Sequence, residues 1–162
     1  MTNLAFATRK SPAGASPPII GWCYRVGISA TRDQVSQALV QLNQQLIGLG
    51  LARDALIAME LVLAEVMNNI VEHAYCDTGQ GDVALEVIVH SNTIWCQLTD
   101  NGRPMPDGKL PPARHYDLEK MDISDLPEGG FGWGLIHDLT SSLSYDRNGA
   151  QNRLSLSIGL DC

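Results

Sequence analysis

The chain has 162 residues, 44% of them hydrophobic, which is enough for one domain with a single enclosed core and makes a second domain unlikely on length alone. Its formal net charge of -7 provides no basic patch for direct binding to nucleic acid or to an anionic membrane. The four cysteines (Cys23, Cys76, Cys96 and Cys162) lack metal-ligand spacing, and no apolar run is long enough to cross a bilayer, so we expect a reduced, cytoplasmic protein.

The predicted elements begin after a proline- and serine-rich arm at residues 1–18, which we expect to be disordered and which lacks a signal-peptide pattern. Alternation over residues 22–28 predicts a half-buried strand. Thr31 and Gln34 then form a capping-box pattern, which predicts the start of an amphipathic helix that ends near Gly48.

A second helix is predicted from about Ala52 to Tyr75, and strands alternate with one long loop after it. The strands are expected through residues 83–89, 94–98, 143–145 and 154–158. The stretch 101–130 carries five prolines and no sustained period, which favours a lid or a binding loop. With a short helix from about Gly134, these elements predict a two-layer α/β sandwich. Its sheet is mixed and mostly antiparallel, with three helices on one face.

Polar residues spaced by four follow one line along the second helix: Glu65, Asn69 and His73. Toward the helix N-terminus the same side carries apolar residues, namely Ala58, Leu61 and Val62. We therefore expect Glu65 and Asn69 to face a partly closed pocket, where polar groups need partners. A magnesium-bound nucleotide supplies them, because an amide oxygen coordinates the ion and a carboxylate positions or deprotonates a hydroxyl nucleophile. An ordinary polar helix face is the alternative, and His73 is expected to be a packed structural residue.

Asp100-Asn101-Gly102 closes the second of the paired strands. A carboxylate at the end of a sheet accepts a hydrogen bond from an exocyclic amine, which adenine presents at its 6-position and guanine does not. Gly102 would let the backbone approach the ring closely. The same tripeptide is also a routine turn sequence, so this motif alone leaves both interpretations open.

A glycine-rich stretch, Gly129 to Leu135, opens directly into the third predicted helix. Unpaired N–H groups and the positive end of a helix dipole bind phosphates without a lysine. Its glycines fall at alternate positions, so it matches neither the dinucleotide fingerprint nor the P-loop pattern. A flexible hinge is the alternative, and Trp133 is expected to pack under the helix, outside the site.

In this order and separation the three segments resemble the N, G1 and G2 boxes of the GHKL ATPases. This superfamily contains the ATP-binding domains of gyrase, histidine kinases and mismatch-repair proteins, all built on the Bergerat fold. The Glu65–Tyr75 segment is similar to the E-x-x-x-N-x-x-x-H-A-Y helix of bacterial anti-sigma-factor serine kinases. The similarity runs from about Trp22 to Leu160 and so covers a predicted ATPase domain at residues 19–162.

The resemblance implies ATP and Mg²⁺ as cofactors, with Glu65 as catalytic base, Asn69 as magnesium ligand and Asp100 as adenine reader. It also implies nucleotide-contacting glycines at Gly102, Gly130, Gly132 and Gly134, and an ATP lid at about 103–129. Arg103-Pro104 departs from the D-x-G-x-G form of the family, so the lid hinge is expected to differ.

Members of that family phosphorylate a serine of an anti-sigma-factor antagonist and hold a sigma factor, and homodimerisation is implied in the same way. Two other functions stay open at this point. One is a nucleotide-gated partner-binding switch without kinase activity. The other is a detached ATP-binding domain of a two-component histidine kinase.

Overall fold

The computed structural model describes residues 21–113 and 131–160, which form one antiparallel sheet covered by helices. The strands are β1 (Trp22–Ser29), β2 (Asp82–His90), β3 (Thr93–Asp100), β4 (Ser142–Asn148) and β5 (Gln151–Gly159). The helices are α1 (Arg32–Ile47), α2 (Arg53–Asn69) and α3 (Phe131–Leu139). The spatial order of the strands is β1-β2-β3-β5-β4, and each pairing among them is antiparallel. The predicted two-layer α/β sandwich is confirmed, but the sheet of the described residues is wholly antiparallel and not mixed, because neighbouring strands in it always run in opposite directions.

The first helix begins and ends where local sequence chemistry predicts. The Thr31 hydroxyl accepts a hydrogen bond from the Gln34 backbone N–H at 3.3 Å, which satisfies one of the free donors at the helix N-terminus. Gly48 is the C-terminal cap. The buried face of α1 comprises Val35, Ala38, Leu39, Leu42 and Leu46.

Strand alternation positions a polar pair inside the core layer. Inward-facing residues of β2, β3 and β5 are almost all apolar and buried. At one end of the sheet the register pairs Asp100 of β3 with Asn152 of β5, and both keep the inward parity. They are 6% and 5% exposed, the two polar side chains in an otherwise apolar buried set of described residues. Buried polar groups need hydrogen-bond partners, so this end of the sheet must supply them for Asp100 and Asn152.

The second helix differs from the single α-helix predicted from Ala52 to Tyr75. It is α-helical over Arg53–Asn69 and continues as a π-helical segment over Ile70–Ala74, called here the π-turn. Val62 belongs to the core, whereas Leu61 is 44% exposed. Val62 and Leu61 therefore do not form one closed side of the helix that faces a pocket, because one is in the core and the other is exposed to solvent.

None of the helices within the described ranges combines the length and apolarity needed to span a membrane. The arm at 1–18 and residues 114–129 of the predicted lid lie outside the described residues. The first residues of the predicted lid are described and include a short 3-10 turn at Pro106–Gly108.

Candidate functional site

A cavity of about 370 Å³ lies where α2, the end of β3 and the start of the predicted lid meet. Aliphatic, proline and aromatic side chains make up most of its wall, and Asn69, Asp100 and Asn152 add polar groups. A concave, mainly apolar space with a few convergent polar groups is typical of a small-molecule site. The structure thus brings two of the sequence-predicted site residues, Asn69 and Asp100, to the same cavity.

Asn69 lies at the last residue of α2 and carries an unsatisfied amide. Within the described residues its Nδ2 atom is buried and has no hydrogen-bond partner. A buried polar group without a partner costs about 1–3 kcal/mol, so such groups persist where they serve a function. A ligand that brings oxygen atoms into the cavity would supply the missing partner.

The π-turn follows Asn69 directly and shapes the same wall. The Tyr75 backbone N–H donates to the Ile70 carbonyl at 3.2 Å, one residue further back than in an α-helix. Single π-turns inside helices are frequent at functional sites. His73 lies on this turn, is exposed and lines the cavity. It is therefore not the packed structural residue that the sequence predicts.

Glu65 lies beside the cavity rather than on its wall. It is half-buried one turn before Asn69, and its carboxylate faces α3. A Cβ atom on Gly132 would collide with Glu65 Oε2 and would lie 3.2 Å from Glu65 Cδ. The structure therefore brings together two residues from separate predicted motifs, and glycine at position 132 leaves room for the carboxylate.

The glycine string is helical where the structure describes it. Helix α3 begins at Phe131, so the prediction of a helix starting at about Gly134 was wrong by three residues. Gly132 and Gly134 therefore belong to the first turn of α3. Apolar residues of this helix, such as Ile136 at 0% exposed, pack into the core and hold the helix in place. Trp133 lines the cavity, although the sequence placed it outside the site. Gly130 lies outside the described residues.

Asp100 presents a carboxylate whose two oxygens have different surroundings. Its Oδ1 atom accepts hydrogen bonds from the Gly102 backbone N–H and from Asn152 Nδ2, both at 2.8 Å. Neither bond uses Oδ2, and Asp100 lines the cavity. Burial raises the pKa of this carboxyl, while the two hydrogen bonds and the nearby Arg147 charge act in the opposite direction. In its ionised form Asp100 therefore offers one acceptor oxygen to a ligand.

Gly102 is tightly packed, for a reason that the sequence did not indicate. A Cβ atom there would lie 2.7 Å from Ala74 Cβ and 2.8 Å from the Ala74 carbonyl oxygen. The Arg103 N–H donates to that same oxygen at 3.0 Å. Tyr75 adds a second link, since its hydroxyl accepts from the Asn101 N–H at 3.0 Å. Residues 74 and 75 thus attach the π-turn to the end of β3 and fix the position of Asp100.

Comparison with known proteins adds the decisive observation. Residues 28–158 match the model of the family described as the histidine kinase-like ATPase domain. This chain belongs to that family. The cavity of this ATPase domain, between α2 and the start of the lid, is formed by the segments in which the sequence motifs lie.

Curated relatives of this ATPase domain include serine-protein kinases. The chain is 30% identical over 96 residues to serine-protein kinase RsbW of Bacillus thuringiensis (strain Al Hakam) and to RsbW of Bacillus anthracis. Each match covers 59% of this chain, and the chain spans 59% of the length of these relatives. A crystal structure of the RsbU and RsbW domains of Rv1364c from Mycobacterium tuberculosis aligns with a TM-score of 0.56. That alignment covers 84% of this chain and 32% of the other at 15% identity, which supports the fold alone.

Three residues of this ATPase domain surround Asp100 and were missed from the sequence. Asn152 donates to Asp100, Tyr145 donates to Asn152 Oδ1 at 2.7 Å, and Arg147 donates to that same oxygen. One signal was available, because Asn152 shares the inward parity of Leu154 in an otherwise apolar row of β5. The contact between Asn152 and Asp100 joins β5 and β3 across 52 positions, which no local pattern shows.

Proposed function

We propose that this histidine kinase-like ATPase domain is an ATP-dependent protein serine kinase. It phosphorylates a serine of an anti-sigma-factor antagonist and, in the unphosphorylated part of the cycle, holds a sigma factor. The observation that carries the proposal is the convergence of Asn69 and Asp100 on one cavity. The similarity to proteins named serine-protein kinase supports the choice of reaction. A homodimer in the cytoplasm is part of the same proposal.

The base of ATP would be recognised by Asp100. Its Oδ2 atom accepts from the 6-amino group of adenine, while Oδ1 stays bonded to the protein. A charged acceptor makes the stronger class of hydrogen bond. The apolar walls, including Trp133 and Met105, would bury the faces of the ring.

The phosphates and Mg²⁺ would lie toward Asn69. The buried, unpartnered amide of Asn69 fits a ligand rich in oxygen, since one amide atom can meet a phosphate and the other a cation. Mg²⁺ prefers oxygen ligands and commonly takes one or two protein groups together with substrate phosphates. Asn69 would hold the ion, which would neutralise phosphate charge when bound.

The acceptor serine would be oriented by Glu65. Its carboxylate lies one helical turn before Asn69 and against the first turn of α3. The N–H groups of a helix's first turn favour anions, so the phosphates and Glu65 would meet at this edge of the cavity. In phosphoryl transfer most of the catalysis is positioning and charge stabilisation, which matches a site with one carboxylate beside the acceptor.

The proposal is tested with labelled Mg²⁺-ATP and a panel of anti-sigma-factor antagonist domains. We expect an acid-stable phosphoserine on one of them, and a fall in rate of at least about 100-fold for Glu65→Gln with ATP affinity retained. Full activity of Glu65→Gln would overturn the assignment of the base. An acid-labile phosphoramidate would instead indicate a histidine-kinase reaction. ATP-dependent capture of a partner with no phosphoprotein would indicate a binding switch.

A further inference from the structure

Asn152 is the centre of a hydrogen-bond network behind Asp100. Its Nδ2 atom donates to Asp100 Oδ1 at 2.8 Å, to the Arg103 carbonyl at 3.1 Å and to the Gly102 carbonyl at 3.3 Å. Its Oδ1 atom accepts from Tyr145 and from Arg147. Every polar atom of this 5% exposed side chain therefore has a partner.

The orientation of the Asn152 amide is fixed because Arg147 can only donate, whereas the Gly102 and Arg103 carbonyls can only accept. A guanidinium has no acceptor, so Asn152 must turn its oxygen toward Arg147. The Met105 backbone N–H donates to the Tyr145 hydroxyl at 3.1 Å, so that hydroxyl directs its own proton to Asn152 Oδ1. The amide of Asn152 is thus held in one orientation, with its NH₂ group toward Asp100.

This orientation determines which carboxylate oxygen of Asp100 faces a ligand in the cavity. Asn152 Nδ2 and the Gly102 N–H are both donors, and both bind Oδ1. The carboxylate plane is fixed by two bonds on one oxygen, which leaves Oδ2 as the acceptor on the cavity side. Resting on the proposed function, we propose that Asn152 is a positioning residue that, together with the Gly102 N–H, fixes which side-chain atom at position 100 faces the 6-position of a purine.

Replacing the carboxylate by an amide shows why Asn152 matters. In Asp100→Asn the new side chain has one oxygen, and the two fixed donors require that oxygen at the Oδ1 position. Its NH₂ group then faces the base. That group repels the 6-amino group of adenine and donates to a 6-oxo group, so the preference reverses. Without the Asn152 donor only the Gly102 N–H holds that oxygen, so the amide flips at lower cost and the reversal weakens.

The test compares ATP with ITP, because the two differ at the 6-position and ITP lacks the 2-amino group of GTP. Dissociation constants are measured by calorimetry for wild type, Asp100→Asn, Asn152→Leu and the double variant. Leucine has the same branched arrangement of side-chain heavy atoms as asparagine and removes both the donor and the acceptor. Gln151→Leu, an exposed amide at the preceding position of β5, is the matched control.

We expect wild type and Gln151→Leu to favour ATP by on the order of tenfold. Asp100→Asn should favour ITP by a similar factor. The double variant should favour ITP by at least about threefold less than Asp100→Asn does, because one of the two donors that fix the amide is gone. A merely structural role for Asn152 would weaken both nucleotides alike and leave the ratio unchanged.

Two contrary results would overturn different parts of the proposal. An ITP preference in the double variant equal to that of Asp100→Asn would overturn the role of Asn152 while leaving the proposed function intact. Failure of folded wild type to bind ATP would overturn both. If Asn152→Leu does not fold, Asn152→Ala removes the same donor with a smaller side chain. The same weakening of the reversal is then required.

Discussion

Replacing Gly102 by alanine tests whether the contact between the π-turn and the end of β3 holds the site together. The added Cβ would lie 2.7 Å from Ala74 Cβ and 2.8 Å from the Ala74 carbonyl oxygen, inside the 3.4 Å at which ordinary contact begins. The Ala74 oxygen and the alanine Cβ have no torsional freedom of their own. The backbone must therefore move, and with it the Gly102 N–H that binds Asp100 Oδ1.

The magnitude follows from two opposing terms. Overpacking costs about 1–3 kcal/mol, and the smaller entropy of the unfolded alanine chain offsets about 0.4–1 kcal/mol. We expect the free energy of unfolding to fall by about 1–2 kcal/mol. Displacement of the Asp100 carboxylate should weaken ATP binding by about tenfold or more, since a ligand hydrogen bond to a charged acceptor contributes about 1.5–3 kcal/mol.

Urea unfolding measures the first quantity, and calorimetric titration with Mg²⁺-ATP measures the second. Gly27→Ala is the matched control, because a Cβ at that position meets nothing within 4 Å. We expect the control to bind Mg²⁺-ATP as wild type does and to be up to about 1 kcal/mol more stable, because only the unfolded-chain entropy changes. If Gly102→Ala behaved as the control does, Gly102 would not be held by Ala74 and this explanation of the site geometry would be refuted.

Three further predictions concern Glu65, Asn69 and Asp100. Gly132→Ala should displace the Glu65 carboxylate and slow phosphoryl transfer by about tenfold. The free energy of unfolding in urea should stay equal or rise by up to about 1 kcal/mol, since alanine favours helix. An unchanged kcat would contradict this prediction. Asn69→Leu should stabilise the ligand-free protein by about 1 kcal/mol, because it removes an unsatisfied buried amide, and should abolish the thermal shift caused by Mg²⁺-ATP; a retained shift would count against Asn69 as a ligand. Lowering the pH through the pKa of Asp100, which burial raises above 3.8, should weaken ATP binding in wild type relative to Asp100→Asn, because protonation removes the charged acceptor. The free energy of unfolding responds with the opposite sign. The folded state holds this proton to higher pH than the unfolded chain, so the contribution of Asp100 to stability declines as pH rises from 3.8 to the folded pKa. A pH profile of ATP affinity that is identical in wild type and Asp100→Asn would contradict the assignment.

Local chemistry explains the parts of the fold that the sequence predicted well. The Thr31 cap, the Gly48 end of α1 and the alternation of β2 all depend on contacts within a few residues. The same holds for the placement of Asp100 at the end of β3, because alternation gives its inward parity.

The parts that were missed depend on contacts between distant elements. The π-turn forms where Ala74 and Tyr75 attach to the end of β3, so its register is set by residues about 26 positions away. Helix α3 starts early because its apolar face packs on the core, which overrides the weak helix propensity of Gly132. The restraint on Asp100 by Asn152 requires the β3–β5 register, which the sequence pattern does not give.

The central claim is that Asn69 and Asp100 bind one adenine nucleotide in the cavity. Titration of Mg²⁺-ATP into wild type, Asn69→Ala and Asp100→Asn tests it before any partner protein is known, and Trp133 on the cavity wall provides a fluorescence signal. We predict saturable, magnesium-dependent binding to wild type and at least about tenfold weaker binding to each variant. Equal affinity in all three proteins would contradict the claim.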